Sequence, residues 1–222
     1  MNRGKEIMEE LRSVISGKTL DAILPPLLFV ILNGKVGLGT AVVISALSAI
    51  AVGVLRILYK QKWQYAFGGL AGIIVASSFS YFSGSASNYF LPGIISSGFV
   101  FLISIVSVLV GKPLAAWASH LSRGWSLEWF WRKDIKPAYR EVTLFWSFFF
   151  LLRFVVLMIL LLRENVAQLF AWKTLLGWPV TISVLVVSYI YGIWRLKNLG
   201  GPGIEEYLAG KQPPYKGQTR GF

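Results

Sequence analysis

The sequence predicts an all-α polytopic membrane protein with about six transmembrane helices, an N-terminal amphipathic helix and an interfacial segment between spans four and five. Three observations carry that prediction. The 222-residue chain is 55% hydrophobic and 15% aromatic with only 14% charged residues, and its mean hydropathy is +0.61, a composition too apolar for a soluble domain of this length. The apolar residues gather into runs long enough to cross a hydrocarbon core, which takes roughly 20 helical residues. The Lys and Arg residues fall between those runs, nearly all on one side of the alternation they create.

Taken in order, residues 1–19 mix both charge signs and end far from any small-residue cleavage signal, so no removable signal peptide is expected. Ile7, Met8, Leu11, Val14 and Ile15 recur at helical spacing and predict a short amphipathic helix on the membrane surface. The membrane domain, 20–197, holds spans at 20–32, 36–58, 63–82, 92–110, 142–162 and 172–194. The first is short and contains Pro25-Pro26, so it is either kinked, continued from the surface helix, or re-entrant. Residues 198–222, rich in Gly, Pro and polar side chains, are expected to be a mobile cytoplasmic tail.

Six crossings divide the cations unevenly. Eighteen of the 22 Lys and Arg residues fall on the side of both termini, three (Lys35, Arg163 and Lys173) on the other, and Arg153 inside a span. By the positive-inside rule both termini are cytoplasmic. The formal charge of +12 then reflects a cytoplasmic face that attracts anionic lipid headgroups in the bilayer, and nucleic acid is not expected as a partner.

Small residues recur every fourth position on span two (Gly37, Ala41, Ser45, Ala49, Gly53) and span three (Gly68, Gly72, Ala76, Ser80, Gly84). Such ladders let membrane helices approach closely, so spans two and three are expected to pack together through Gly53, Ala49, Gly68, Gly72, Ala76 and Ser80. Use of one ladder in a homo-oligomer or larger membrane complex is the alternative. Between spans four and five, Lys112, Trp117, Trp125, Trp129 and Trp131 mark an aromatic-basic segment suited to the cytoplasmic interface.

One residue stands against the apolar background. Arg153 lies in LFWSFFFLLRFVVLMILLL, roughly 16 Å above the cytoplasmic boundary of its span. A guanidinium at that depth costs at least about 2.5 kcal/mol on insertion scales, and no carboxylate is placed to neutralise it. Hydroxyls are: Ser45 and Ser48, Ser77 and Ser78, Ser97 and Ser104, and Ser183 fall at matching depth. Facing inward, Ser45, Ser77, Ser78, Ser97 and Ser104 with Arg153 would form a polar site for a small polar or anionic solute. The competing reading has each serine bonded to its own helix carbonyl and Arg153 acting as a fixed strut.

Catalytic chemistry is not expected. The single histidine, His120, lies beside Ser119 and Ser122 without a positioned acid, and there are no paired carboxylates inside the spans. No catalytic residue, cofactor site or metal site is assigned. The absence of cysteine removes disulfides and thiolate ligands.

The stretches DAILPPLLFVILNGKVG, RILYK, AFGGLAGIIVASSFSYFSGSASNYFLPGI, SVLVGKPLAAW and WRKDIKPAYREVTLFWSFFFLLRFVV, in that order, resemble the bacterial membrane proteins of the domain-of-unknown-function 3159 (DUF3159) family. The resemblance spans about residues 20–197 and implies a bacterial cytoplasmic (inner) membrane location. It carries an arginine of the fifth span onto Arg153 and a KPL stretch onto Lys112, Pro113 and Leu114. The early proline-containing span and KPL followed by a W-x-F-F helix are also distantly similar to the intracellular septation protein A family. Neither resemblance implies a reaction or a ligand. Two functions are therefore expected: a non-enzymatic, transporter-like protein with a midplane site, or an envelope scaffold acting through its cytoplasmic aromatic-basic segment.

Overall fold

The structure, a computed structural model, describes the backbone of residues 18–58 and 63–222 and the side chains of 26–54, 58 and 71–222. The expected amphipathic helix therefore lies almost wholly outside the described residues. Among these, the chain is helical and contains no strand. The order is α1 (Lys18–Val36), α2 (Leu38–Leu58), α3 (Trp63–Ser83), a 3₁₀ turn (Ala86–Phe90), α4 (Leu91–Leu109), α5 (Leu114–Arg123), α6 (Leu127–Phe130), α7 (Lys136–Leu162), α8 (Val166–Leu175), α9 (Trp178–Leu199) and α10 (Ile204–Leu208).

The surface is the reverse of a soluble protein's. On α4, Ile95, Phe99, Leu102 and Val106 are exposed, and on α7 Phe148, Leu152, Val155 and Ile159 are, each set three or four residues apart. Buried positions on the same helices include Ser97, Ser104, Thr143 and Ser147. Long apolar stripes facing outward with hydroxyls inward demand a non-aqueous surrounding. Three helical stretches are long and apolar enough to cross a membrane: Ala86–Leu109, Lys136–Leu162 and Val166–Leu199. Shorter apolar stretches are Pro26–Val36, Leu38–Val54 and Ala71–Ser83.

The helices differ from the expected spans at their ends. The first runs 19 residues from Lys18 to Val36, one continuous helix through Pro25-Pro26. The fifth begins at Lys136 and reaches 27 residues, because a polar, amphipathic first turn extends the apolar run. The expected sixth span, 172–194, straddles a break at Leu176-Gly177: Trp172 belongs to α8, and α9 runs Trp178–Leu199.

Two compact units make up the chain, the first comprising 1–96 and 154–180 and the second 97–153 and 181–222. In the first, α1 packs on α2 and α2 on α3. Ala41, Ser45 and Ala49 are buried along α2, and Ser80 is buried on α3 with Ala76 half-buried. Gly72 departs from the expected ladder: it is exposed, and a Cβ there would meet nothing within 4 Å. Gly53 is half-buried, and the surroundings of Gly68 fall outside the described side chains. Phe29, Tyr89, Phe90, Ile94, Leu157 and Leu169 form the core of this unit, with Phe29 stacked on Tyr89 at 4.2 Å.

The second unit has its own core of Trp129, Phe130, Ile135, Ala138, Tyr139, Leu196 and Ile204. It includes the C-terminal segment. Expected to be a mobile tail, residues 198–222 instead fold onto α5, α6, the start of α7 and the C-terminal half of α9. The Glu206 carboxylate explains much of this: it is buried and accepts backbone N–H bonds from Gly203, Lys216 and Gly217, each 3.0 Å long. A glycine-rich chain gains fixed geometry from such an acceptor without large side chains of its own.

Candidate functional site

The α7 helix sets Arg153 about 25 Å from its first residue and about 14 Å from its last. The side chain is half-buried, its Nε is fully buried without a hydrogen-bond partner, and no carboxylate pairs with it among the described residues. In a low-dielectric surrounding an unsatisfied cationic donor is costly, so the position is held against an energetic gradient.

The candidate serines and Arg153 are divided between the two units. Ser45, Ser77 and Ser78 belong to the first unit, whereas Ser97, Ser104 and Arg153 belong to the second. Ser78 donates to the Ile74 carbonyl at 2.8 Å and Ser104 to the Val100 carbonyl at 2.7 Å. Ser48 likewise donates to the Ser45 carbonyl at 2.7 Å. These hydroxyls are used within their own helices. Ser45 and Ser97 are buried and have partners. Ser77 differs, its Oγ being buried and unpartnered.

The aromatic-basic segment is a second candidate. Lys112 is exposed, Trp117, Trp125 and Trp131 are half-buried, and Trp129 is fully buried. Trp129 therefore serves as a core residue, not a headgroup anchor: its Nε1 donates to the Pro202 carbonyl at 3.0 Å, and its ring meets Phe130 edge-on at 5.0 Å. The segment folds as a short helix, α5, ended by left-handed Gly124, whose N–H donates to the His120 carbonyl; the His120 Nδ1 donates to the Trp125 carbonyl at 2.6 Å, and α6 follows, its first turn capped by the Ser126 hydroxyl accepting from Glu128 N–H. His120 is thus occupied by a backbone carbonyl, and Ser122 donates to the Ser119 carbonyl.

Sequence reasoning missed the pairing of Glu141. Arg195 grips it bidentately at 2.8 and 3.0 Å, and Tyr191 donates to it at 2.7 Å. Deeper along the same two helices, Trp146 donates to Ser188 at 3.1 Å. The clue was present: with spans five and six antiparallel, Glu141 and the Tyr191/Arg195 pair, four residues apart, fall at one depth.

Glu206 yields a prediction. Backbone N–H groups of Lys216 and Gly203, and then Gly217, hold its carboxyl below the usual range. A lowered folded-state pKa contributes stability that is fully present above the unfolded value, near 4.3, and is lost as pH falls through the folded one. Hydrogen-exchange protection of the Gly203 and Gly217 amides should be constant at neutral pH and fall below about pH 4. Glu206→Gln should show reduced protection at neutral pH and no such acid step; an acid step surviving in that variant would assign it to another group.

Among the described residues no group of three His, Cys, Asp or Glu side chains is placed to hold a metal ion. Compared with known families, residues 16–196 match the family described as protein of unknown function, DUF3159. No curated protein and no solved structure matches the chain.

Proposed function

The chain belongs to the DUF3159 family, and from that premise we propose a transporter-like protein of the bacterial cytoplasmic membrane, without catalytic chemistry, in which Arg153 serves a small polar or anionic solute. It crosses the bilayer six times with both termini in the cytoplasm. The observation that carries this reading is the unpaired guanidinium on α7, with Nε buried and donating to nothing. A strut should have found acceptors, because an unused donor in hydrocarbon is expensive. A guanidinium kept open offers a forked donor to a carboxylate or phosphate arriving from outside the fold.

The absence of native cysteine makes the test direct. Single cysteines at 153 and through the neighbouring turns of α7 are labelled with a membrane-impermeant thiol reagent from each side of the membrane. On this reading positions at or beside 153 react from at least one side, along a water-filled path. Complete protection from both sides would leave a dry arginine and overturn the solute site.

The second reading is an envelope scaffold, and one observation favours it. The segment 112–136, the start of α7 and the C-terminal residues form a folded body with its own aromatic core, displaying Lys112, Lys133 and Arg140 at its surface. A surface so built suits anionic headgroups or a protein partner.

A further inference from the structure

The last five residues do not merely lie against the second unit. The Phe222 ring stacks on fully buried Tyr139 at 4.3 Å and 10°. On the other side it fills the space over Gly192, where any Cβ would overlap the ring. Gly221 has φ +72°, and a Cβ there would lie 2.7 Å from the Trp125 ring and 2.9 Å from Arg123 Nη1. Its N–H donates to the Tyr189 hydroxyl at 3.1 Å. Gln218, also buried, accepts from Ile204 N–H at 2.9 Å and donates to the carbonyls of Arg220 and Gly221. Two positions lacking Cβ, one in the seat and one in the segment, are what this close approach needs.

The connection to this plug is of a different kind. Leu208 to Pro214 are all exposed, between α10 and the residues that Glu206 holds. Gln218 and Gly221 are buried, Phe222 is half-buried, and Thr219 and Arg220 are exposed; such a partly buried plug on an exposed tether can leave and return without the body unfolding, because the tether keeps its local concentration at about the millimolar level.

We infer that Gln218–Phe222 is an internal ligand for a socket formed by Tyr139, Tyr189, Gly192, Arg123 and Trp125, and that this detachable strap ties α5, α7 and α9 together. When seated it fixes the ends of two helices, α7 and α9, that the Glu141–Arg195 pair also joins. When released it uncovers an aromatic seat.

The first test uses the unmodified chain. Hydrogen exchange of residues 218–222 should be at least tenfold faster than that of the α9 amides around Gly192, showing local release. Exchange in step with α9 would make the segment part of the permanent core and overturn the strap. The second uses Ser119→Cys as reporter, a buried position facing Tyr139. Removal of residues 218–222, or Gly192→Ala in the untruncated chain, should raise its thiol labelling roughly tenfold. A peptide of residues 217–222 should restore protection in the truncated protein and have no effect on the intact one. Unchanged labelling in both variants, or an increase that the peptide does not reverse, would overturn the socket.

Discussion

Trp129→Ala is expected to remove about 3–5 kcal/mol from the stability of the second unit, the range for emptying a large aromatic site. Trp129 is fully buried and touches Trp125, Phe130 and Tyr139 edge-on at 5.5, 5.0 and 6.1 Å. The loss has two parts. Removing the indole leaves a cavity among rings that are themselves held by α7 and the C-terminal segment, so collapse is limited. It also orphans the Pro202 carbonyl that accepts from Nε1, which costs roughly a further 1–3 kcal/mol if water does not enter. Trp129→Phe should keep most of the packing and lose chiefly the hydrogen bond. Trp117→Ala, at a half-buried position, should cost clearly less. The measurement is denaturant unfolding followed by near-ultraviolet circular dichroism, which reports the fixed aromatic environment. Equal effects at Trp117 and Trp129 would return both to the role of interfacial anchors.

That contrast marks where sequence reading ends. The helices were legible because long apolar runs have few alternatives, and α2, α3 and α4 begin and end within about two residues of the expected spans. The start of α7 was not, since Lys136, Arg140 and Glu141 interrupt the apolar run there, although Ala138 and Tyr139 continue the buried face of the same helix. The self-satisfied hydroxyls of Ser78 and Ser104 were legible as one of two readings, because the acceptor lies four residues away on the same chain. The seat of Phe222 was not: Tyr139 and Gly192 carry no local signal that a residue so distant in sequence will stack on one and lie over the other. Composition made residues 198–222 look mobile, and a single carboxylate, Glu206, reverses that by collecting three backbone donors. Arg153 itself was conspicuous in the sequence. Its lack of a partner is a property of three-dimensional placement.

Arg153→Leu is expected to abolish solute handling while leaving the fold as stable as before or more so. Insertion scales assign an arginine at mid-helix about 2.5–3.5 kcal/mol of cost and a leucine a small gain. Because the Arg153 Nε donates to nothing in the structure, little is lost to set against that gain. A strut behaves oppositely: removing it strands the acceptors it served, and stability falls. Thermal unfolding of the purified protein in bilayers separates the two, a rise or no change supporting the solute site and a clear fall supporting the strut. The second readout uses a cysteine at Phe150, about one turn from Arg153 on α7. In the Arg153 protein a small carboxylate or phosphate should slow its labelling saturably, and in the leucine variant it should not. Arg153→Lys keeps the charge but not the planar fork, so it should retain weakened protection if charge alone attracts the anion and none if bidentate geometry is required.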